Sequence, residues 1–302
     1  MNTESNMRHF IFIVLVKFWN FYPFKNSLSY LIKRNNWLKE KLYKDLRYTG
    51  IMEIEIDNKK LKLFNPGITT IENEIYWKGL NNGWEKISLR IWQQLATHSN
   101  VIIDIGANSG LYSFVAYACN PNAEIFAFEP AQRTVEIFKK NLSLNVESKI
   151  KLIQKAVSNK TGKSLFYDLP TDTQYGASLN EKMLENFKNR VSYEVEVVSL
   201  DTFNELFGKK IDLLKIDVEM HEPEAIEGMI KIIERDKPAI LIEILNDDMG
   251  SRIESQISKF DYNYYTIDEI NLPKKVNKLV KSECYNFLLC NKQIATKLGL
   301  MT

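Results

Sequence analysis

The chain contains 302 residues, of which 45% are hydrophobic and 26% charged, values that are ordinary for a globular protein. Its 40 basic and 38 acidic residues leave a formal net charge of +2. The chain as a whole therefore lacks the excess of positive charge that is typical of nucleic-acid-binding proteins, and no nucleic-acid partner is expected. Three cysteines without a C-x-x-C pair argue against a disulfide scaffold or a cysteine-rich zinc module. The H-E-x-x-H motif of zincin metalloproteases is also absent from the sequence. We therefore expect a cytoplasmic protein.

The first notable feature is a basic, aromatic arm. Residues 8–47 carry nine basic and two acidic residues, so the rest of the chain has a net negative charge. The apolar run 10–16 is too short to span a membrane, which takes about 20 residues. Apolar residues recur at helical spacing from Leu28 onward. The favoured interpretation is a helix packed on the main domain. The alternative is peripheral contact of residues 8–47 with the inner face of an anionic membrane.

Residues 51–64 alternate apolar and polar side chains around a turn, which predicts a β-hairpin. Residues 1–83 are therefore predicted to form an extension of helical arm and hairpin. Residues 84–97 show helical spacing, with Ser88 at the polar edge of an apolar face formed by Trp84, Ile87, Ile91 and Leu95.

From there, short apolar runs alternate with helical patterns. Strands are predicted at 101–106, 124–130, 149–157, 211–219 and 237–244, with helices at 110–119, 131–145, 223–233 and 250–260. Residues 163–169 are predicted to be extended and 193–201 to be an edge strand, while the polar loop 170–182 suggests a substrate lid. The last strands, 262–268 and 285–290, have no helix between them, which favours an antiparallel pair. The pattern predicts an α/β domain over residues 84–302 with a mostly parallel sheet.

A glycine loop, D-I-G-A-N-S-G, follows the first of these strands and opens a helix. Gly106 and Gly110 allow a tight turn and the close approach of a nucleotide-like ligand to the helix N-terminus. The loop is not a dinucleotide fingerprint, because Asn108 and Leu111 replace the second and third glycines, and it lacks the lysine of a Walker A loop. On its own it is also compatible with a plain strand-to-helix turn.

Glu129 ends the second strand, twenty-five residues after Asp104. An acid at the tip of this strand is placed to accept hydrogen bonds from ribose hydroxyls. A solvated carboxylate at a strand end is the alternative.

Four segments in this order, DIGANSG, FEP, LLKIDVEMHEPEAIEG and KPAILIEI, resemble the FkbM family of S-adenosylmethionine-dependent methyltransferases. The resemblance covers about residues 85–245. It implies a Rossmann-like, seven-stranded class I methyltransferase sheet with helices on both faces and a reversed last strand. It also implies O-methyl transfer onto hydroxyls of sugars or natural products.

The resemblance further implies a cofactor site. Glu129 would bind the ribose of S-adenosylmethionine, and the residues after the third strand, Ala156, Val157 and Ser158, would border the adenine. One departure is Met220, where many family members carry glycine, and it affects the expected shape of the acceptor pocket. The pocket for the methionine end would be shaped by Asp104, Gly106, Ala107, Asn108 and Gly110.

An acidic cluster supplies the catalytic candidates, Asp217, Glu219 and His221. Methyl transfer to a hydroxyl requires alignment of the oxygen and an acceptor for its proton, which a carboxylate or a histidine can supply. Side chains alternate between the two faces of a β-strand, so Asp217 and Glu219 would lie on one face if the strand extends that far. Glu243 ends the next strand and could lie beside Asp217. These carboxylates could also bind Mg²⁺, but that is the less favoured option and no metal site is assigned.

The sequence thus predicts an S-adenosylmethionine-dependent O-methyltransferase that acts on a hydroxyl of a sugar, glycan or glycosylated acceptor, with a lipid-linked precursor as one option. Two rival functions stay open at this point. One is a nicotinamide-dependent oxidoreductase, which the missing G-x-G-x-x-G disfavours. The other is a non-catalytic glycan-binding or membrane-associated scaffold with the same fold. The oligomeric state is not predicted.

Overall fold

A computed structural model describes residues 19, 24–35, 39–40, 43, 45–56, 59–169, 177–281 and 283–300. The chain divides into two compact units. The first comprises the described residues up to 54 together with 62–84, and the second comprises 55–61 and the described residues from 85 onward. The apolar run 10–16 and most of the proposed lid, 170–176, lie outside the described residues.

The predicted hairpin is confirmed. It consists of β1 (Gly50–Ile56) and β2 (Lys59–Asn65), and alternate side chains of both strands are buried. Helix α1 (Lys25–Arg34) confirms helical structure after Leu28. Helix α2 (Thr70–Lys78) was not predicted from the sequence; it buries apolar side chains on several sides, so no single stripe marks it.

Within the first unit, buried aromatic side chains bind the segment around residue 46 to its neighbours. Trp19 donates a hydrogen bond to the Arg47 carbonyl over 2.8 Å, and Trp77 donates one to the Leu46 carbonyl over 2.9 Å. Ile32 of α1 is buried, whereas its neighbour Leu31 is 62% exposed. Part of the basic arm therefore belongs to a packed core, and part presents apolar side chains to solvent.

The second unit is built on an eight-stranded sheet. Its strands are β3 (Val101–Ile105), β4 (Glu124–Phe128), β5 (Ile150–Ile153), β9 (Leu213–Ile216), β10 (Ala239–Glu243), β11 (Asn263–Ile267), β12 (Lys274–Val276) and β13 (Asn286–Cys290). The order is β12-β11-β13-β10-β9-β3-β4-β5. Strands β10, β9, β3, β4 and β5 are parallel, and β13 is antiparallel to both β10 and β11. The reversed last strand is confirmed, and β12 adds an eighth strand at the edge.

A separate three-stranded sheet contains β6 (Ala156–Val157), β7 (Gly162–Asp168) and β8 (Val191–Val198), in the order β6-β8-β7. Two predictions were wrong here. The expected strand 149–157 is divided, because β5 pairs with β4 whereas β6 turns away to pair with β8. Residues 193–201 were expected to form an edge strand, but most of them belong to β8, which lies in the centre of its sheet between β6 and β7.

Seven α-helices accompany these sheets in the described part of the second unit. The predicted helix 223–233 is broken, because Gly228 separates its two halves; a Cβ there would lie 2.0 Å from the Ser158 carbonyl oxygen. The helices predicted at 110–119, 131–145 and 250–260 are confirmed, with ends that differ by at most three residues. The seven are α3 (Lys86–Ala96), α4 (Leu111–Cys119), α5 (Gln132–Leu144), α6 (Glu222–Glu227), α7 (Ile230–Asp236), α8 (Asp247–Ile257) and α9 (Lys292–Lys297). Four 3-10 turns complete the described helical structure, at Glu181–Leu184, Leu200–Thr202, Asn204–Leu206 and Ser258–Phe260.

Helix α3 corrects the sequence interpretation of Ser88. Ile87, Ile91 and Leu95 are buried as predicted, but Ser88 is fully buried as well. Its hydroxyl donates to the Glu269 carboxylate over 2.5 Å, and the same carboxylate accepts the Ile87 N–H over 2.6 Å. The carboxylate of a residue distant in sequence thus accepts hydrogen bonds from the free N–H groups in the first turn of this helix. The periodicity of the sequence does not reveal such a contact.

The architecture positions the site through its parallel strands. Since β3, β4, β9 and β10 run in the same direction, their carboxyl ends meet at one edge of the sheet, where ligands of open α/β sheets bind. We refer to this edge as the carboxyl edge. Among the helices in the described part of the chain, none combines the length and the apolar character that crossing a bilayer requires.

Candidate active site

The glycine loop forms a left-handed turn between β3 and α4. Gly106, Asn108 and Gly110 have φ angles of 77°, 51° and 91°. A Cβ on Gly106 would lie 1.7 Å from the Asp217 carbonyl oxygen, and one on Gly110 would lie 2.8 Å from the Phe138 ring. Packing within the protein therefore requires both glycines, independently of the ligand approach that the sequence predicts.

Glu129 connects this loop to the next helix. Its side chain is buried, and the two carboxylate oxygens accept the N–H groups of Asn108, over 2.8 Å, and Ala131, over 2.9 Å. Burial raises the pKa of Glu129, while these backbone hydrogen bonds act in the opposite direction. Glu129 is thus a fixed carboxylate within the loop structure, and not a solvated group at a strand end.

Two buried oxygen atoms beside the loop have no hydrogen-bond partner in the described part of the chain. They are Oδ1 of Asp104 and Oδ1 of Asn108. The other oxygen of Asp104 accepts a hydrogen bond from the Ser113 hydroxyl over 2.7 Å. Burial raises the pKa of Asp104, and the positive charge of Lys215 opposes that rise. Unpaired buried acceptors are costly, so these two atoms mark places where a donor from a ligand would be favourable.

The three residues that the resemblance assigns to the adenine border have different surroundings. Ala156 is buried in the small sheet, and Val157 belongs to the main hydrophobic core. Ser158 is buried, and its hydroxyl lies 3.0 Å from Nε2 of His221. Of the three, only the Ser158 side chain makes a polar contact with another candidate residue.

The acidic cluster follows β9, but not as a continuation of the strand. The strand predicted at 211–219 is shorter than expected, because β9 ends at Ile216, so the condition for placing Asp217 and Glu219 on one strand face is not met. Glu219 and Met220 instead have φ angles of 55° and 72°, in the left-handed region that favours glycine. This conformation gives a physical reason for the glycine that the sequence resemblance leads us to expect at position 220.

Polar side chains of a neighbouring loop stabilise this strained turn. The Ser178 hydroxyl donates to the Glu219 carbonyl over 2.5 Å, and the Asn180 amide donates to the Met220 carbonyl over 2.8 Å. The described end of the predicted lid, residues 177–182, is therefore attached to the turn that carries the catalytic candidates.

Asp217 pairs with a lysine that sequence reasoning missed. Its carboxylate lies 2.8 Å from Nζ of Lys215, and the side chain of Asp217 is 32% exposed while that of Lys215 is buried. Burial by itself lowers the pKa of Lys215, but the negative charges of Asp217, Asp104 and Glu85 outweigh it and raise the pKa. Lys215 also lies over the Tyr112 ring, 4.6 Å from its centroid. A charged residue within the buried strand β9 was the signal available in the sequence.

Glu85 is a second acid that the sequence did not identify. It accepts hydrogen bonds from the Tyr112 hydroxyl over 2.6 Å and from the Asn286 amide over 2.9 Å. These partners lie 27 and 201 positions away in the sequence, so local sequence patterns cannot predict the two contacts. Burial raises the pKa of Glu85, and the charge of Lys215 opposes the rise.

Two further glutamates have strongly raised pKa values. Burial, followed by the charges of Asp217 and Glu219, raises the pKa of Glu243 to about 10. Burial raises that of Glu222 to about 8, although its carboxylate accepts the Val218 N–H over 2.9 Å. The electrostatic effect of Asp217 on Glu243 agrees with the expectation that the two lie near each other. At neutral pH both glutamates are therefore mainly protonated.

His221, the third catalytic candidate, faces a different neighbour. Besides its contact with Ser158, its Nδ1 atom lies 3.7 Å from the Glu224 carboxylate, which also binds Arg252 over 2.6 Å. Burial lowers the pKa of His221. The structure thus brings Asp217 together with Lys215, and His221 together with Ser158. Within the described residues, no three histidine, cysteine, aspartate or glutamate side chains are arranged to hold a metal ion.

The sheet order and the site at its carboxyl edge define a Rossmann-like α/β protein of the class I methyltransferase type. The family model described as "Methyltransferase FkbM domain" matches residues 104–264, just over half of the chain. The chain therefore belongs to the FkbM methyltransferase domain family, as the sequence motifs predicted.

Two curated relatives are similar to parts of the chain. Methyltransferase sdnD from Sordaria araneosa is 32% identical over 154 residues, with 42% of this chain and 60% of that protein covered. Methyltransferase 1 from Beauveria bassiana is 25% identical over 143 residues, with 42% and 57% covered. The chain thus spans about three fifths of the length of these relatives.

Solved structures show a more distant similarity. A crystal structure of Methyltransferase FkbM from Methylobacillus flagellatus KT has a TM-score of 0.41 and 15% identity, with 63% of this chain and 43% of that chain covered. The tRNA (uracil-54, C5)-methyltransferase of Pyrococcus abyssi, crystallised with S-adenosyl-L-homocysteine, has a TM-score of 0.41 and 11% identity, with 79% and 43% covered.

Proposed function

We propose that this chain is an S-adenosylmethionine-dependent O-methyltransferase. The observation that carries the proposal is the connection between the glycine loop and Glu129, whose carboxylate is fixed by the N–H groups of Asn108 and Ala131. Each carboxylate oxygen keeps a lone pair after accepting one backbone N–H, so Glu129 can still accept hydrogen bonds from ribose hydroxyls. Membership of the FkbM family supports the same reaction class.

The residues present fit this cofactor. The methionine end carries an ammonium group, and the unpaired Oδ1 atoms of Asp104 and Asn108 are acceptors for such donors. Glu129 would hold the ribose, and the segment from Ala156 to Ser158 would border the adenine. Gly106, Ala107 and Gly110 would shape the loop through their backbone.

The bound cofactor supplies a methyl group on a sulfonium that is already activated. Among the catalytic candidates we assign Asp217 as the proton acceptor, because its carboxylate is held 2.8 Å from Nζ of Lys215 and its side chain is partly exposed to an incoming hydroxyl. Glu243 carries a proton at neutral pH, so it is a donor rather than a base. His221 is engaged with Ser158, and we assign it a positioning role. Glu219 lies in the strained turn that follows Asp217, and we assign it a role in shaping that turn.

The acceptor in this proposal is a hydroxyl of a sugar, glycan or glycosylated molecule. The family resemblance supports that choice, since it implies methylation of sugar or natural-product hydroxyls. Transfer of a labelled methyl group to mono- and oligosaccharides, compared with non-sugar alcohols, tests the acceptor class. Incorporation confined to the non-sugar alcohols would contradict it.

The experiment that tests the cofactor is calorimetric titration with S-adenosylhomocysteine. We expect micromolar binding by the wild type and at least tenfold weaker binding by Glu129→Ala. Glu136→Ala is the matched control, because this glutamate lies on the exposed face of α5 and binds only neighbouring helix residues. No binding by folded wild type, or equal affinity in Glu129→Ala, would contradict the proposal. A parallel titration with a reduced nicotinamide cofactor tests the oxidoreductase alternative.

We further propose that the protein is cytoplasmic and that its basic arm touches the inner face of an anionic membrane. Tyr30 and Leu31 are 59% and 62% exposed, beside Lys33 and Arg34 in the last turn of α1. Truncating the arm would remove the buried Leu46, so Tyr30→Ser/Leu31→Ser is the better test. Reduced co-sedimentation with acidic liposomes is expected, and unchanged co-sedimentation would contradict the contact.

A further inference from the structure

Residues 270–281, which we name the basic-apolar segment, differ from the rest of the second unit in composition. The segment reads I-N-L-P-K-K-V-N-K-L-V-K and contains four lysines and no acidic residue. It includes the end of the loop after β11, the edge strand β12 and the beginning of the return to β13. All four of its lysines are exposed.

Apolar side chains of this segment are also exposed. Ile270 is 81% exposed, Leu272 is 77% exposed and Val280 is 43% exposed, and the nearby Tyr285 is 44% exposed. Single exposed apolar residues are ordinary on protein surfaces, whereas a group of them beside lysines indicates an interaction surface.

The sheet register places the two ends of this region together. Ile267, the last residue of β11, pairs with Asn286, the first residue of β13. The loop that carries Ile270 and Leu272 therefore leaves the sheet beside the strand that Tyr285 precedes. Since β13 is antiparallel to both β10 and β11, β11 runs in the same direction as β10, and its loop emerges at the carboxyl edge.

The acids that precede the segment are occupied by internal hydrogen bonds. Asp268 accepts the Ile270 N–H over 2.9 Å and the Asn271 amide over 2.5 Å. The carboxylate of Glu269 binds the first turn of α3. These bonds fix the loop with its two negative charges directed to protein donors, so little ordering is left for Ile270 and Leu272 when they meet a partner.

The other end of the segment is anchored as well. Leu279 is fully buried, and its N–H donates to the Glu254 carboxylate. The Lys281 N–H donates to Asp247 over 2.7 Å. Val280, between these two anchors, is thereby held on the surface.

We propose that the basic-apolar segment docks on an anionic lipid surface. Ile270 and Leu272 would enter the boundary between headgroups and acyl chains, while Lys274, Lys275 and Lys278 pair with acidic headgroups. The charge of the segment is complementary to such a surface, and stable membrane attachment generally combines an apolar with a basic contribution. Docking would present the carboxyl edge, and with it Asp217, toward molecules in the membrane. This surface contains no residue of α1, and the proposal does not depend on the proposed reaction.

Flotation of the full chain with vesicles of phosphatidylcholine containing phosphatidylserine tests this proposal. We expect Ile270→Ser/Leu272→Ser to lower the partition coefficient at least tenfold with the basic arm intact. Neutralising Lys274, Lys275 and Lys278 to glutamine should also lower it, by about fivefold for each lysine. Vesicles of phosphatidylcholine alone should bind weakly.

Control variants replace exposed side chains elsewhere in the second unit. Val146→Ser removes an apolar side chain that is 82% exposed and precedes β5 at the opposite edge of the sheet. Replacing the exposed Lys210, Lys231 and Lys297 with glutamine removes the same charge outside the segment. Circular dichroism and thermal unfolding confirm that each variant folds, and light scattering reports its oligomeric state.

The proposal is supported if both segment variants lose binding and both controls keep it. It is overturned if the wild type does not float with acidic vesicles, if Ile270→Ser/Leu272→Ser binds as the wild type does, or if the control variants lose binding equally. Unchanged vesicle binding together with an altered oligomeric state would assign the surface to self-association instead.

Discussion

The two halves of the candidate site achieve their shape by different physical means. The glycine-loop half, residues 104–110 with Glu129, uses glycine and asparagine at its left-handed positions, and its key carboxylate is held by backbone N–H groups. The turn half, residues 215–222 with Glu243, places Glu219 and Met220 in the same region of φ. Its carboxylates lie close to one another and to a single buried lysine.

This difference shows which half can respond to its surroundings. The backbone N–H groups that hold Glu129 do not titrate, although burial raises the pKa values of Glu129 and Asp104 in the glycine-loop half. In the turn half, burial and mutual repulsion raise the pKa values of Glu222 and Glu243 to about 8 and about 10. Its charge therefore depends on pH and on whatever molecule occupies it, as is typical of catalytic regions. The first half is suited to binding and the second to chemistry.

Removing the central cation should have the largest effect. Lys215→Met leaves Asp217, Asp104 and Glu85 without their common positive neighbour, and loss of one partner from a buried ionic cluster costs about 3–5 kcal/mol. Urea denaturation at neutral pH measures the free energy of unfolding. Lys139→Met, on the exposed surface of α5, serves as the control and should change little. Equal stability of the two variants would show that the charges of the turn half are not coupled through Lys215.

In the glycine-loop half, a substitution should lower the free energy of unfolding through steric overlap instead. In Gly106→Ala the new Cβ would meet the Asp217 carbonyl at 1.7 Å in a backbone with a φ of 77°, so we expect a loss of about 3 kcal/mol. Gly208 has a similar φ of 74° with nothing within 4 Å of its Cβ position, so Gly208→Ala should lose only about 1 kcal/mol. Chemical denaturation of both variants separates the contact from the backbone strain. Similar losses would mean that the loop and the turn are not in tight contact.

A third substitution distinguishes chemistry from binding. Asp217→Asn keeps the size of the side chain but removes the proton acceptor, and turnover should fall about 100-fold. Affinity for S-adenosylhomocysteine should stay close to the wild-type value, because Glu129 and the glycine loop are unchanged. Steady-state kinetics and calorimetry give the two quantities, with the exposed Asp248→Asn as the control. Turnover near that of the wild type would remove Asp217 from the proton transfer.

The last prediction concerns pH, and its effect is the smallest when it is expressed for a single pH unit. The pKa of Glu243 is about 10 in the folded protein and near 4.5 in the unfolded chain, so the folded state binds its proton more tightly. This contribution to stability is complete below about pH 4.5 and is lost as the pH rises toward 10. Between pH 6 and 9, wild-type stability should therefore fall relative to Glu243→Gln by at most about 1.4 kcal/mol per pH unit. Thermal or urea unfolding across this range measures the difference, and parallel curves would contradict the raised pKa.

The residues at the two halves also differ in how visible they are in the sequence. Gly106, Gly110 and Glu129 stand at fixed distances from a strand and a helix start, so local pattern and family resemblance identify them. Asp217 is visible for the same reason. Its partner Lys215 was overlooked because a lysine inside an apolar run reads as an exception to the pattern rather than as a site.

Errors in the predicted elements have a common origin. The strand expected at 149–157 is divided because Ala156 and Val157 find their hydrogen bonds on β8, and the helix expected at 223–233 is interrupted where Gly228 meets the Ser158 backbone. Ser88 is buried because Glu269, 181 positions away, satisfies its hydroxyl. In each case a distant segment supplies the partner, and local periodicity contains no information about it.

The sequence by itself determined the hairpin, the alternation of strands and helices, the family and the glycine loop with Glu129, because these depend on periodicity and on motifs of neighbouring residues. Only the tertiary structure decided the pairing of Asp217 with Lys215, the hydrogen bond between Glu85 and Asn286, the contact of His221 with Ser158 and the binding of Glu269 to the first turn of α3. The physical reason is that the energy of a buried charge is set by whatever lies within a few ångströms of it, and folding brings those groups together from remote parts of the chain.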